Sequence, residues 1–308
     1  MISECTHSST HPIASTKPRV LCRCRLAIAV LTASCYGEPG DLPARVEQSA
    51  QTPGVFDQFP ESSYPNGWLI ASQGNSPNNW SADGMGRSGT LDLWTRDPSG
   101  GGACTSDTQC RASQCVAGAC RQRVKQRSPR SDFGYGTYSW RVFLAMPTPA
   151  GAQFSTGAFV YADDAHELDF ECGYGTAAAR AGAMRAPLVH LDGSRGSASA
   201  TEILCYMTSQ GSPARSVVIA VQSGAWYTLE LSLMQGVGET YSATWRINGT
   251  TVSSLQLTYG PNSPCAMYDP TRRCTFGAYI SVENLAFIGD VYPTSRNDTL
   301  FDWFSYAP

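Results

Sequence analysis

The segment 166-HELDFECGYG-175 sets three carboxylates, Glu167, Asp169 and Glu171, at every second position, with Leu168 and Phe170 between them. Charged residues make up only 15% of this chain, so that crowding needs a reason. An extended strand sends alternate side chains to opposite faces. The three acids therefore share one face, and Leu168 and Phe170 share the other. Carboxyl pairs hydrolyse glycosidic bonds. With retention, one attacks the anomeric carbon while the other, about 5–5.5 Å away, protonates the leaving oxygen and then activates water. Glutamates four residues apart on a strand have Cα atoms about 13 Å apart, and long side chains leaning together over a concave face close much of that gap. Asp169 between them would hydrogen-bond the nucleophile, and its charge would help keep a neighbour protonated, because like charges raise a pKa. Two other readings stand beside this one: the acidic face of a solvated strand, and a calcium-binding cluster, since Ca²⁺ also takes several carboxylate oxygens. Like charges on one strand face repel, which weighs against a purely structural role.

Such a face needs a sheet beneath it. From Val55 onward, short runs of β-branched and aromatic residues alternate with Gly, Pro, Ser and Asn clusters. The pattern predicts strands over 89–96, 135–144, 157–162, 166–172, 226–234, 241–248, 276–282 and 299–307. Another, 202-EILCYM-207, would neighbour the acidic strand. Many short strands at this spacing predict an all-β sandwich or barrel. In 241-YSATWRIN-248, Tyr241, Ala243, Trp245 and Ile247 fall on one face. Only 176–186 has helical character, weakened by its glycine.

The chain has 308 residues, a formal net charge of −3 and 42% hydrophobic residues. That supports a buried core in one large or two small domains and gives no charge bias toward nucleic acid. The basic cluster 121-RQRVKQRSPR-130 reads as a solvated strand or linker face. Twelve cysteines argue for an oxidising compartment, where disulfides persist. The N-terminus agrees. Arg19, Arg23 and Arg25 precede the apolar run 26-LAIAVLTAS-34 and Cys35, so residues 1–35 read as a signal peptide, with an apolar run too short to span a bilayer. Ordinary cleavage there would release a secreted protein. The small residues before Cys35 also resemble a bacterial lipoprotein signal. In that case a lipid on Cys35 would be the sole membrane attachment, and the protein would sit in the cell envelope as an outer-membrane lipoprotein. Residues 36–54 read as a linker and 55–308 as one β domain, expected to be monomeric.

Within that domain, Cys104, Cys110, Cys115 and Cys120 fall close together with almost no apolar bulk. Such a segment cannot build a core, so cross-links must hold it. Residues 101–121 are therefore predicted to be a disulfide-rich insertion decorating one edge. A zinc site would bring CxxC or Cys/His spacings, which are absent. Cys265 and Cys274 bracket a loop that a disulfide would close. Cys172 ends the acidic strand, and a bond to Cys205 would staple that strand to its neighbour, although spacing alone fixes no connectivity.

The acidic strand resembles the active-site strand of glycoside hydrolase family 16, whose pattern is E-[ILV]-D-x-E or a bulged form one residue longer. This chain has the unbulged form of lichenases and xyloglucan-modifying enzymes. The order 133-FGYGTYSWRVFLA-145, 154-FSTGAFVYADD-164, 167-ELDFECG-173 follows the family's run. The segments 64-YPNGW-68, 226–252 and 301-FDWFSYAP-308 are similar to further family segments, so the likeness spans most of 55–308. It implies a two-sheet antiparallel β-jelly-roll sandwich of concanavalin A type, with the sugar cleft on its concave sheet. It also implies Glu167 as nucleophile, Asp169 as its assistant and Glu171 as general acid/base. Tyr64, Asn66 and Tyr161 would contact sugar, with core packing the alternative for Tyr161. The implied reaction is cleavage of internal β-1,3 or β-1,4 linkages in a glucan-like polysaccharide, with transglycosylation as a variant. No cofactor is required. A structural calcium ion is implied on the convex side with Asp302 as a ligand, a capping hydrogen bond being the alternative for that residue.

The chain departs from the family's pattern at several places. Ala165 and His166 stand where lichenases tend to have a Trp and an acid. A His there either tunes a carboxylate or lies on a solvated flank. Cys172 to Gly175 replace an aromatic-aliphatic-Gly run, the loop over 176–200 is long, Gln126 stands near an expected sugar-binding glutamate, and Ala286 and Phe287 replace an expected Trp. These changes bear on substrate choice more than on catalysis, since all three acids remain. Two readings from other classes use the same fold: a non-catalytic, lectin-like carbohydrate binder, and a surface adhesion or structural protein with the Cys-rich insertion as its contact module.

Overall fold

A computed structural model describes residues 54–59, 68–70, 80–82, 89–95, 104–109, 115–116, 118–120, 123–145, 154–238, 240–258, 275–284 and 297–308. The predicted signal segment with Cys35, most of the linker, Tyr64, Asn66, Cys110, Cys265 and Cys274 lie outside the described residues. Chain contacts divide after Gln48, and everything described belongs to the unit Ser49–Pro308.

Two sheets make up the fold. The first has eight strands along the path β17 (Thr250–Thr258), β16 (Thr240–Ile247), β15 (Ala225–Gln235), β8 (Gly136–Leu144), β19 (Asn297–Ala307), β4 (Leu91–Thr95) and β3 (Trp80–Ala82), with β1 (Val55–Gln58) paired to β19. The second has nine: β12 (Arg195–Gly196), β11 (Leu188–His190), β14 (Arg215–Gln222), β13 (Glu202–Ser209), β10 (Glu167–Gly173), β9 (Phe154–Tyr161), β18 (Gly277–Asn284), β7 (Arg123–Arg127) and β2 (Leu69–Ile70). Pairing is antiparallel throughout both sheets except between β11 and β14. The architecture is an all-β jelly-roll sandwich, as the strand spacing and the resemblance predict.

Period-two patterning explains why the sheets stack. In β16, Tyr241, Ala243, Trp245 and Ile247 are all buried while their neighbours are half-exposed. In β15, Tyr227, Leu229, Leu231 and Leu233 do the same. Their partners across the core are Leu168, Phe170 and Cys172 of β10 with Ala158 and Val160 of β9, all part of one cluster. Fully burying a side chain such as Phe170 contributes roughly 1.5–3 kcal/mol. Residues 121–130, expected as a solvated face, contain β7, which lies inside the second sheet between β18 and β2. Val124 and Gln126 are buried, and Lys125 points the other way.

The predicted helical segment holds α1 (Ala177–Ala183), started by Thr176, whose hydroxyl accepts from Ala179 N at 3.1 Å. The Cys-rich segment carries a two-residue hairpin, β5 (Cys115–Val116) with β6 (Ala119–Cys120), and a disulfide joins Cys104 to Cys115. The Cys120 side chain lies outside the described residues.

Candidate active site

β10 pairs with β9 and β13 in unbroken register over its length. A one-residue slip would turn the acids into the core, and two contacts oppose it. On the core face, Cys172 is disulfide-bonded to Cys205, its direct cross-strand partner. From the opposite sheet, the Trp245 indole donates to the Asp169 carbonyl at 3.0 Å.

The register defines the cleft face row by row. Lys125, Ser281, Gly157, Glu171, Tyr206 and Val218 lie across from one another on consecutive strands. Tyr279, Phe159, Asp169 and Thr208 form the next row, and Tyr161 with Glu167 the one after. Gly157 leaves the floor beside Glu171 open, since any Cβ there would collide with the Ser281 hydroxyl. The result is a cleft of about 270 Å³ lined by Glu167, Asp169, Glu171, Lys125, Gln210 and Glu283, among others.

The electrostatics separate the acids. Asp169 is 3% exposed, and burial holds its carboxyl well above the usual carboxylate range, with the charges of Glu167 and Glu171 adding to the effect. The Gln210 amide, 3.4 Å from Oδ2, and the Lys125 charge pull the other way. Glu171 keeps solvent access along the cleft, yet protein crowds its carboxyl. Desolvation, then Glu283, then Glu167 push it up to about 7. A carboxyl that is neutral near pH 7 is what a general acid requires.

Tyr161 stands beside Glu167 on the cleft face, half-exposed, with its ring edge-on to Tyr279 and its hydroxyl donating to Asp164 at 3.0 Å. Burial, followed by the Asp164 hydrogen bond, pushes that hydroxyl up to about 12. Core packing is therefore not its role. Phe159 and Tyr279 stack with centroids 5.0 Å apart, and Lys125 Nζ lies 4.5 Å from the Phe159 centroid. His166 is neither a solvated flank nor a cleft group. It is buried and its Nδ1 meets Asp163 Oδ1 at 2.6 Å, closing the turn before β10.

Lys125, Gln210 and Glu283 line the cleft, and Tyr206 stands across from Glu171, without having been singled out from the sequence. Counting by twos assigns Lys125 and Tyr206 to a face of β7 and β13, but only the strand pairing brings those faces to the cleft. The predicted strand over 276–282 stops one residue before Glu283. Gln210 follows β13 and has no local signal at all. Asp302 lies half-buried at a bulge in β19. Burial raises its pKa, and Arg141 is the charge that opposes the rise. Among the described residues, no three or more His, Cys, Asp or Glu side chains gather as around a metal ion.

No known protein-family model matches the chain, and no curated protein does. Solved structures are similar in outline. The catalytic domain of an endo-1,3-β-glucanase (laminarinase) from Thermotoga petrophila RKU-1 has 12% identity over 82% of this chain and 96% of that one, with a TM-score of 0.49. Bacillus licheniformis β-glucanase has 14% identity over 83% and 98%, at 0.46. A glycosyl hydrolase family protein from Mycobacterium fortuitum has 16% over 82% and 98%, also at 0.46. These likenesses assign no residue and no activity to this chain.

Proposed function

We propose that this protein is an exported, retaining glycoside hydrolase that cuts internal β-1,3 or β-1,4 linkages of a glucan-like polysaccharide. One observation carries the reading: Glu167, Asp169 and Glu171 line a single cleft in which Glu171 is pushed up to about 7. The Glu167 carboxylate attacks the anomeric carbon while neutral Glu171 gives its proton to the leaving oxygen. The sugar is then held as an ester of Glu167. Glu171, now a carboxylate, takes a proton from water, which attacks the anomeric carbon and frees Glu167. A sugar hydroxyl in place of that water would make the same cycle a transglycosylation. Asp169, whose pKa burial and the two glutamate charges raise, stands between Glu167 and Glu171 and assists the nucleophile. The Phe159–Tyr279 stack offers apolar faces for sugar rings. Export through the N-terminal segment, ending either in ordinary cleavage or in lipid attachment at Cys35, and a monomeric state belong to the same proposal.

The test is to purify residues 36–308 oxidised and screen lichenan, laminarin, xyloglucan, chitin-type and galactan polymers for new reducing ends. Wild-type activity surviving Glu171→Gln would remove the acid/base. Binding without hydrolysis of any polymer would place the protein with non-catalytic sugar binders.

A further inference from the structure

Beside the catalytic cleft lies a second cavity of about 310 Å³, and the two share Ser155, Glu171 and Glu283. Its walls are of a different kind. Away from the shared residues they are mostly apolar: Phe154, Gly173, Gly175, Ala179 and Leu204, with Thr176 and Tyr206 beside them. A sugar ring carries hydroxyls on every edge, and each one buried against such walls without a partner is costly. An unsubstituted sugar therefore gains little against the apolar side of this cavity, formed by Phe154, Ala179 and Leu204.

The wall is braced rather than loose. Arg180 of α1 is buried and donates to the Glu202 carbonyl at 2.8 Å and to the Ser199 carbonyl, with its guanidinium 4.1 Å from the Tyr174 ring centroid. Ala198 N donates to the Ala183 carbonyl at 2.8 Å. Gly175 turns the chain into the helix at φ 77°, and a Cβ there would press against Leu204. The segment that follows the acidic strand thus supplies one wall of the cavity, through Gly175, Thr176 and Ala179, against the strands that carry Phe154, Leu204 and Tyr206.

Thr176 and Tyr206 are the polar side chains that the cavity does not share with the cleft, and the Thr176 hydroxyl accepts from Ala179 N as the cap of α1. Tyr206 pairs with Glu171 across the strands, and its hydroxyl comes within 3.9 Å of where a Gly175 Cβ would be. Among the described residues nothing hydrogen-bonds that hydroxyl. Burial and then the Glu171 charge raise its pKa, so it remains an O–H donor. An O–H donor set in an apolar cavity suits one small group in particular, an acyl substituent. The carbonyl accepts from the hydroxyl while the methyl meets the apolar wall.

We infer that the cavity beside Glu171 is a subsite for the acyl group of an acylated sugar. The polysaccharide would then carry O-acetyl esters or N-acetyl amides next to the bond that is cut. This rests on the hydrolase reading for its place in catalysis, but the cavity's ligand can be tested separately.

The experiment uses the full chain and two matched pairs of ligands: O-acetylated glucomannan with its alkali-deacetylated form, and N-acetylated with N-deacetylated chito-oligosaccharides. Hydrolysis rates are measured, and saturation-transfer NMR reads contact with the acetyl methyl. The acylated member of one pair should be preferred by on the order of tenfold, from one buried methyl and one hydrogen bond. The pair that shows the preference identifies ester or amide. Ala179→Leu should collapse the preference to about one. Tyr206→Phe, which keeps the ring, should lower it about fivefold. Equal rates within both pairs and no methyl contact would overturn the inference and leave the hydrolase reading standing. Methyl contact abolished by Ala179→Leu, with no polymer cleaved, would support the subsite and sink the hydrolase reading instead. Neither cleavage nor contact would sink both.

Discussion

On one face of β10, Leu168, Phe170 and Cys172 are buried in the main core, and Cys172 is bonded covalently to the neighbouring strand. On the other face of the same residues' strand, Glu167, Asp169 and Glu171 crowd like charges into a partly desolvated cleft. The first face stabilises the fold and the second works against it. A backbone fixed by apolar packing can hold carboxyls at separations and protonation states that they would not adopt on a mobile segment.

This contrast can be broken from either side. The largest effect should come from Glu167→Gln, with kcat falling by about 10⁴-fold or more while melting changes little, because in the proposed cycle the lost group attacks the reacting carbon. Reducing-end assays beside thermal melts check it. Next, Glu171→Gln should cost about 10²–10⁴-fold and also change the pH profile. In the wild type kcat/KM should fall as pH rises through about 7, where Glu171 loses its proton. In the variant that limb should be missing.

The same group should show in stability. The folded pKa of Glu171 is raised above its ordinary 4.5 to about 7, and that of Asp169 is raised as well. Both therefore bind protons more readily folded than unfolded. The stability contributed is complete below the unfolded values and is lost as pH rises through the folded ones. Glu171→Gln should melt above wild type at about pH 8 and match it near about pH 4. A variant that melts below wild type at the higher pH would contradict the idea that the cleft face is under electrostatic load.

Two smaller effects probe the core face. Phe170→Ala should remove about 3–5 kcal/mol of stability by opening a cavity, measured by denaturant unfolding. Replacing Cys172 and Cys205 together with Ala should cost about 2–4 kcal/mol, since the bond closes a long loop of the unfolded chain. In both, the residual folded protein should keep the pH dependence of wild type. A shifted pH limb would show that the faces are not separable.

Much of this was legible in the sequence because period two is a local property. Leu168 and Phe170 between three acids define two faces before any fold is known, and Tyr241, Ala243, Trp245 and Ile247 define another. Lys125 and Glu283 were harder. Their places in the cleft follow from which strand pairs with which, and in what register, and that is settled by contacts far apart along the chain. His166 misled for a related reason. A flank beside a strand reads as solvated unless the turn that folds over it, with Asp163 accepting, is already in view. Tyr206 lay on a predicted strand, but its position opposite Glu171 required the register that the Cys172–Cys205 bond helps to fix.

The Trp245 indole crosses from one sheet to the backbone of the other at the middle residue of the acidic triplet. Its consequence is for motion. Sliding or splaying the two sheets would first break a buried hydrogen bond and leave both the indole N–H and the carbonyl without partners. Shear between layers is therefore a costly way to admit a polymer chain. Any opening and closing should fall to the segments around the rim, with the three carboxyls riding on a frame that stays still.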